Sequence, residues 1–232
     1  MHKSSPVAVI TGASRGLGAA LAHSLAQHGW QLVLDARNHH ALDEAAPPGA
    51  TLVPGDVTDP THRARIVEAA ARLGGADALV NNASTLGTSP LPSLAEIPVE
   101  VLDDILFTNV VAPVALTQAL LPQLLAHRGR VVNVTSDAGV EAYETWGGYG
   151  ASKAALDQVT RVLAAEQPTL RVYAVDPGDM RTQMHQDAFP GEDISDRPTP
   201  ETVVPALVRL LTEDLASGRY RANDLLPAEV AR

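Results

Sequence analysis

The chain has 232 residues, enough for a single large α/β domain with a substantial core. Hydrophobic residues make up 45% of it but aromatics only 3%, so Ala, Val and Leu are expected to build that core; cysteine is absent, which excludes a disulfide framework, a thiolate nucleophile and a Cys-held metal. A formal net charge of -10 argues against a general polyanion-binding surface, and no nucleic-acid partner is expected.

The opening MHKSSPVAVITG shows no apolar signal-peptide core, and no stretch is read as long and apolar enough to cross a bilayer, so a cytoplasmic protein without a membrane partner is expected. PVAVITG reads as a short β-branched strand ending in glycine, followed by GLGAALAHSLAQHG as an amphipathic helix closed by Gly29. WQLVLDAR is the next strand, ALDEAA a helix, ATLVPGDVT a third strand, THRARIVEAAARLGG a helix and ADALVNNAS a fourth strand. The alternation continues with a long helix around VEVLDDILFTNVVAPVALTQALLPQLL, the strand RVVNVTS, a helix through YGASKAALDQVTRVLAAEQ and the strand LRVYAVDPG.

Short apolar runs alternating with helices imply βαβ crossovers and a parallel sheet covered on both faces. The expected fold is α/β: one Rossmann-like doubly wound domain over residues 1–232, with a glycine-rich half at about 7–90 and a second half at about 91–232. In such sheets ligands bind beyond the carboxyl ends of the strands. Polar or glycine-rich groups stand there in TGASRGLG, DAR, GDV, NNAS, VTSDAG and VDPGDM.

In Thr11-Gly12-Ala13-Ser14-Arg15-Gly16-Leu17-Gly18 three glycines lie between a strand and a helix, where backbone amides can approach a pyrophosphate at a helix N-terminus. The Gly-Lys-Ser/Thr ending of a P-loop is missing. Further along, YGASK sets Tyr149 and Lys153 four residues apart, so on a helix the phenol and the amine share one face. No His cluster has metal-ligand spacing, and no metal is inferred.

TGASRGLG, NNAS, Asn109, Ser136 and YGASK, in this order, resemble the short-chain dehydrogenase/reductase family, whose pattern is TGxxxGxG, NNAG, Asn, Ser and YxxxK. The match runs from about Val7 to PGDM; Ser84 stands where the family has the glycine of NNAG. The resemblance implies an NADP(H)- or NAD(H)-dependent oxidoreductase with Gly12, Ser14, Gly16, Leu17 and Gly18 around the pyrophosphate. Arg15 and Arg37 resemble the residues that meet the 2′-phosphate of NADP, although a shift of one residue would put Asp35 on an NAD ribose instead. It further implies that Asp56 and Val57 meet the adenine, that Asn82 and Ala83 line the cofactor, and that Pro177, Gly178 and Thr182 of the PGxxxT stretch lie near the nicotinamide.

For the reaction, the family implies Tyr149 as proton donor, Ser136 on the substrate oxygen, Lys153 on the nicotinamide ribose and Asn109 in a helix kink holding a relay water. A phenol ionises near ~10, and the nearby Lys153 cation is expected to draw it toward about 7. The small residues of YGASK are expected to leave an open floor for nicotinamide and substrate.

MRTQMHQDAFPGEDISDRPTP reads as a substrate lid of loop and short helix, with Met180, Met184, Phe189, Trp146 and Tyr143 as candidate pocket walls. The expected substrate is a carbonyl/alcohol pair of a small or medium-sized molecule, and the family implies a homodimer or homotetramer built on helices around residues 99–125 and 152–166. The competing readings are a non-catalytic dinucleotide sensor or scaffold on the same fold and an NAD-dependent alcohol dehydrogenase.

Overall fold

In the computed structural model the described residues run from Ser5 to Leu226, so the last residues of the SGRYRANDLLPAEVAR tail lie outside them. β1 (Val7–Ile10), β2 (Gln31–Ala36) and β3 (Thr51–Pro54) alternate with α1 (Gly16–Gln27) and α2 (His39–Ala45). α3 (Pro60–Arg72) leads to β4 (Ala78–Asn81), and the long helix follows as α4 (Val99–Leu106), a π-helical turn (Phe107–Val111) and α5 (Ala112–His127). β5 (Arg130–Val134), α6 (Gly147–Glu166) and β6 (Arg171–Asp176) complete the expected alternation.

The remaining elements are α7 (Gln183–Ala188), α8 (Val204–Thr212), β7 (Gly218–Arg221) and α9 (Ala222–Leu225). Of these, α7 matches the short helix expected in the lid, whereas α8, β7 and α9 add to the elements expected from the sequence. The apolar spacing of VVPALVRLLT with Pro205 in its first turn was available for α8. β7 is four largely polar residues and carries little strand signal.

The strands form one parallel sheet in the order β3-β2-β1-β4-β5-β6-β7, the doubly wound Rossmann-like arrangement. Alternation along each strand feeds both faces: Ala8, Ile10, Leu32 and Leu34 pack with α1 and α8, whereas Val7, Val9 and Val33 pack with α3 and α5. The chain reverses its winding between β1 and β4. The carboxyl ends of these two strands therefore open a crevice.

The span Val99–His127 corrects one sequence expectation, because its length and composition would suffice to cross a bilayer. Its Ala112, Leu116, Leu120 and Leu124 are fully buried against the sheet, so α5 is a core helix. Side-chain packing, invisible to a hydropathy window, accounts for that buried stripe, while Val99, Phe107, Val111 and Leu125 of the same span are exposed.

Candidate active site

A cavity of about 420 Å³ lies along the carboxyl edge of the sheet, from Arg37 and Asp56 at one end to Ser136, Trp146 and Tyr149 at the other. Every proposed cofactor residue except Gly18 borders it, and Gly18 sits just behind. Gly12 takes φ +66°, a left-handed conformation that disfavours other residues, and a Cβ there would stand 2.9 Å from the Ala83 Cα. On Gly18 a Cβ would meet the Gly12 carbonyl at 2.5 Å and the Asn82 amide at 2.6 Å. The loop therefore lies flat on β4 and leaves its outer side to the cavity.

Asn82 holds that arrangement. Its Nδ2 donates to the Thr11 and Gly12 carbonyls at 2.8 and 3.1 Å, while the Thr11 hydroxyl accepts from the Asn82 and Ala83 amides. The Asn82 side chain is thus committed to main chain. Asn81 is likewise internal, donating to Asn133 at 2.8 Å between β4 and β5.

At the first end, Arg15 and Arg37 are exposed on the cavity rim. Asp56 caps its own turn by accepting from the Thr58 amide and hydroxyl at 2.9 and 2.7 Å. Burial works to raise its pKa, but the Thr58 bonds and the Arg37 charge outweigh that and hold the carboxyl below its ordinary range. Val57 is buried beside it. Asp35, by contrast, is 2% exposed and bonded to His62.

At the other end, Tyr149 and Lys153 stand one turn apart on α6, both buried. The Lys153 Nζ donates to the Val134 carbonyl at 2.8 Å and lies 5.2 Å from the centre of the Tyr149 ring. Burial brings the Lys153 pKa down to about 8, opposed by the Asp157 charge. The expected lowering of the phenol is reversed: burial pushes the Tyr149 pKa well above its ordinary value, opposed by the Ser84 and Ser136 hydroxyls and reinforced by Asp176 and Asp137. Here desolvation outweighs any benefit from the neighbouring amine.

Ser136 lies at the end of β5, where its Oγ donates to Asp137 at 2.9 Å and accepts from the Ala138 amide at 3.2 Å. Asn109 occupies the π turn, the kink expected in the long helix, and its side chain is saturated. Its Oδ1 accepts from Ser84 and Thr85, and its Nδ2 donates to the Thr85 carbonyl and to Ser152. Main-chain groups of that turn and the cavity-lining Thr108 remain for a bound water.

Gly150 and Ser152 of YGASK serve close packing rather than an open floor, while Ala151 is exposed. A Cβ on Gly150 would stand 2.5 Å from the Ala138 carbonyl, and Ser152 is fully buried against Asn109. They let α6 touch the turn that carries Ser136.

Trp146 meets Tyr149 edge-on at 5.6 Å and Phe189 at 5.8 Å, while Leu86, Met184 and Ala188 pack around them. Met180 also borders the cavity, but Tyr143 is turned outward, 48% exposed, with its hydroxyl on Asp137. Thr182 caps α7, accepting from the His185 amide at 3.2 Å. Pro177 and Gly178 line the cavity between β6 and the lid.

Sequence reasoning treated Ser84 only as a small departure from its motif, whereas the hydroxyl reaches both Asn109 and the Tyr149 phenol. The departure itself was the available signal, since a glycine offers no such hydroxyl.

A family model described as short chain dehydrogenase matches residues 6–193. The oxidoreductase YciK of Escherichia coli (strain K12) is 33% identical over 220 residues, covering 90% of this chain and 86% of that protein. A short chain dehydrogenase structure from Shigella flexneri complexed with NADP superposes with a TM-score of 0.86 at 29% identity, covering 94% of this chain and 96% of that one. One from Escherichia coli CFT073 complexed with NADPH gives 0.85 at 30% identity, with the same coverage. With this much of the chain matched in sequence and shape, and with the glycine loop, Ser136, Tyr149 and Lys153 facing one crevice, the chain belongs to the short-chain dehydrogenase/reductase family of oxidoreductases.

Proposed function

We propose that the protein is an NADP(H)-dependent oxidoreductase acting on a small carbonyl/alcohol pair, with Tyr149 as the acid/base. The observation that carries this reading is that Ser136, Tyr149 and Lys153 close one end of a cavity whose other end is the glycine loop with Arg15 and Arg37. The flat loop, with no room for side chains at Gly12 and Gly18, suits a dinucleotide pyrophosphate, and the two exposed guanidiniums suit a 2′-phosphate.

Bound NADP(H) supplies or accepts the hydride. Tyr149, held neutral by burial, has a proton to give to the carbonyl oxygen as negative charge develops there. The Ser136 hydroxyl orients that oxygen once it turns from Asp137. Lys153 lies beneath the Tyr149 ring, where its ammonium stabilises the phenolate left by proton transfer. The apolar wall of Trp146, Met184 and Leu86 excludes water and favours a substrate with an apolar flank.

The test is NADPH consumption against a panel of aldehydes, ketones and quinones, with wild type beside Tyr149→Phe. Turnover lost in the variant while NADPH still binds supports the reading. Undiminished turnover in the variant rejects Tyr149 as the acid, and tight NADPH binding without any turnover across the panel favours a dinucleotide sensor.

A further inference from the structure

The unread strand β7 pairs with β6 in the register Ala174 to Arg219 and Val175 to Tyr220. Alternation sends these neighbours to opposite faces. Tyr220 packs edge-on against Tyr173, and Arg219 turns toward α6. Its Nε donates to Asp157 Oδ2 at 3.0 Å, and its Nη2 donates to the Ser136 main-chain carbonyl at 3.1 Å and to Asp176 Oδ2 at 3.2 Å.

Each acceptor belongs to a segment that forms the reaction centre. Asp157 lies one turn beyond Lys153 on α6, Ser136 is the substrate-facing serine, and Asp176 ends β6 just before Pro177 and Gly178. The other Asp176 oxygen accepts from the Gly178 amide at 3.0 Å, which fixes the turn toward the lid. The two carboxylate side chains are 3% and 6% exposed and the guanidinium 21%, so solvent screens this trio weakly.

The charges also reach the proposed acid/base pair. The Asp157 carboxylate favours the Lys153 ammonium, and Asp176, together with Asp137, disfavours a Tyr149 phenolate. Lys153 otherwise faces the Tyr149 ring and the Val134 carbonyl, and Tyr149 faces the Ser84 and Ser136 hydroxyls. Arg219 is the cation that offsets both internal carboxylates.

We infer that Arg219 is a positioning residue of the reaction centre, holding Ser136, α6 and the β6 turn in register while screening Asp157 and Asp176 from Lys153 and Tyr149. Its effect on turnover rests on the oxidoreductase reading above; its effect on the charge of Lys153 does not.

The sequence offers a clean probe, because it contains two lysines, Lys3 and Lys153. With lysine labelled at Cε by carbon-13 in a Lys3→Arg background, the single side-chain signal titrates Lys153 alone. Arg219→Gln is expected to raise its midpoint by about one pH unit, as an unscreened carboxylate one turn away favours the ammonium. Arg219→Lys keeps the charge but adds a second labelled lysine, so that variant is read by kinetics. It loses the fork to Ser136, so kcat falls by roughly tenfold while the KM for NADPH changes little.

An unchanged Lys153 midpoint in folded Arg219→Gln overturns the inference. Should that variant fail to fold, Arg219→Gln/Asp157→Asn removes one buried carboxylate with its partner; a lowered kcat supports the inference and a wild-type kcat overturns it. Absence of turnover in wild type would count against the proposed activity, and the titration would still decide the role of Arg219.

Discussion

The His62 imidazole and the Asp35 carboxylate are hydrogen-bonded to one another, each side chain 2% exposed, at the Arg37 end of the cavity, which Asp35 borders. Burial raises the Asp35 pKa, opposed by the His62 bond and charge and by the Gly12 amide. A carboxylate committed in this way is poorly placed to discriminate a ribose hydroxyl. The exposed Arg37, two residues on, faces the open rim instead.

Cofactor preference is therefore expected to rest on Arg37 and Arg15. Arg37→Ala should raise the KM for NADPH by roughly 10- to 100-fold, the loss of one charge-assisted phosphate contact, and leave the KM for NADH nearly unchanged. Steady-state kinetics with both cofactors checks this. A parallel rise for NADH would assign Arg37 to general folding instead.

Breaking the internal pair should destabilise the fold. His62→Ala strands the Asp35 carboxylate and opens a cavity under Gly55, where a Cβ would stand 2.3 Å from the His62 Nδ1. A loss of about 3 to 5 kcal/mol in urea unfolding is expected at neutral pH. His62→Ala/Asp35→Leu, which removes the charge as well, should recover part of it.

Lys153 carries a stability signature with a definite sign. Its pKa is about 8 in the folded protein against an ordinary 10.5, so between those values the unfolded chain binds the extra proton and stability rises with pH. The gain amounts to about 3 kcal/mol across that window. Measured against Lys153→Met, wild type should become relatively more stable from pH 7.5 to pH ~10. A difference independent of pH would mean that the amine is not desolvated.

A phenol held neutral favours one direction of reaction at neutral pH. Carbonyl reduction needs the protonated Tyr149 and should show a flat rate through pH 6 to ~8, whereas alcohol oxidation needs the phenolate and should accelerate as pH rises. Rate profiles in both directions check it, and the Tyr149→Phe variant should lose both activities by about three orders of magnitude.

Gly150→Ala tests the close contact that replaced the expected open floor. Its Cβ would press the Ala138 carbonyl at 2.5 Å and push α6 from the Ser136 turn. About 1 to 3 kcal/mol of stability should be lost, with kcat falling more than the KM for NADPH rises. Chemical unfolding and kinetics together separate the two effects.

Much of this architecture was legible because the signals are local. VAVI, QLVLDA and RVVNV are short runs rich in apolar residues of the kind a sheet buried on both faces takes, and the glycines of TGASRGLG announce a turn before a helix. The motif residues could be placed one by one, since each lies at a strand end, on α6 or, for Asn109, within the long helix. Long-range charge pairing carries no such signal: Arg219 finds Asp157 across 62 residues and Asp176 across 43, and His62 finds Asp35 across 27. The direction of the Tyr149 shift was missed for a related reason, because desolvation depends on everything packed around a residue, and helical spacing reports one neighbour.

The hydrogen bond from the Arg181 amide to the Pro198 carbonyl, 2.8 Å long, closes the base of the segment that covers the Trp146 side of the cavity. Inside it, Thr182 caps α7 and Gln186 ties the Phe189 and Glu192 carbonyls, while Phe189, Met184 and Ala188 pack on the Trp146 wall. A loop pinned at its neck behaves as an exchangeable cassette: doubling its length costs only about 0.6 kcal/mol in closure entropy. New substrate ranges can thus be grafted between residues 182 and 197 while the sheet and its glycine turn remain untouched.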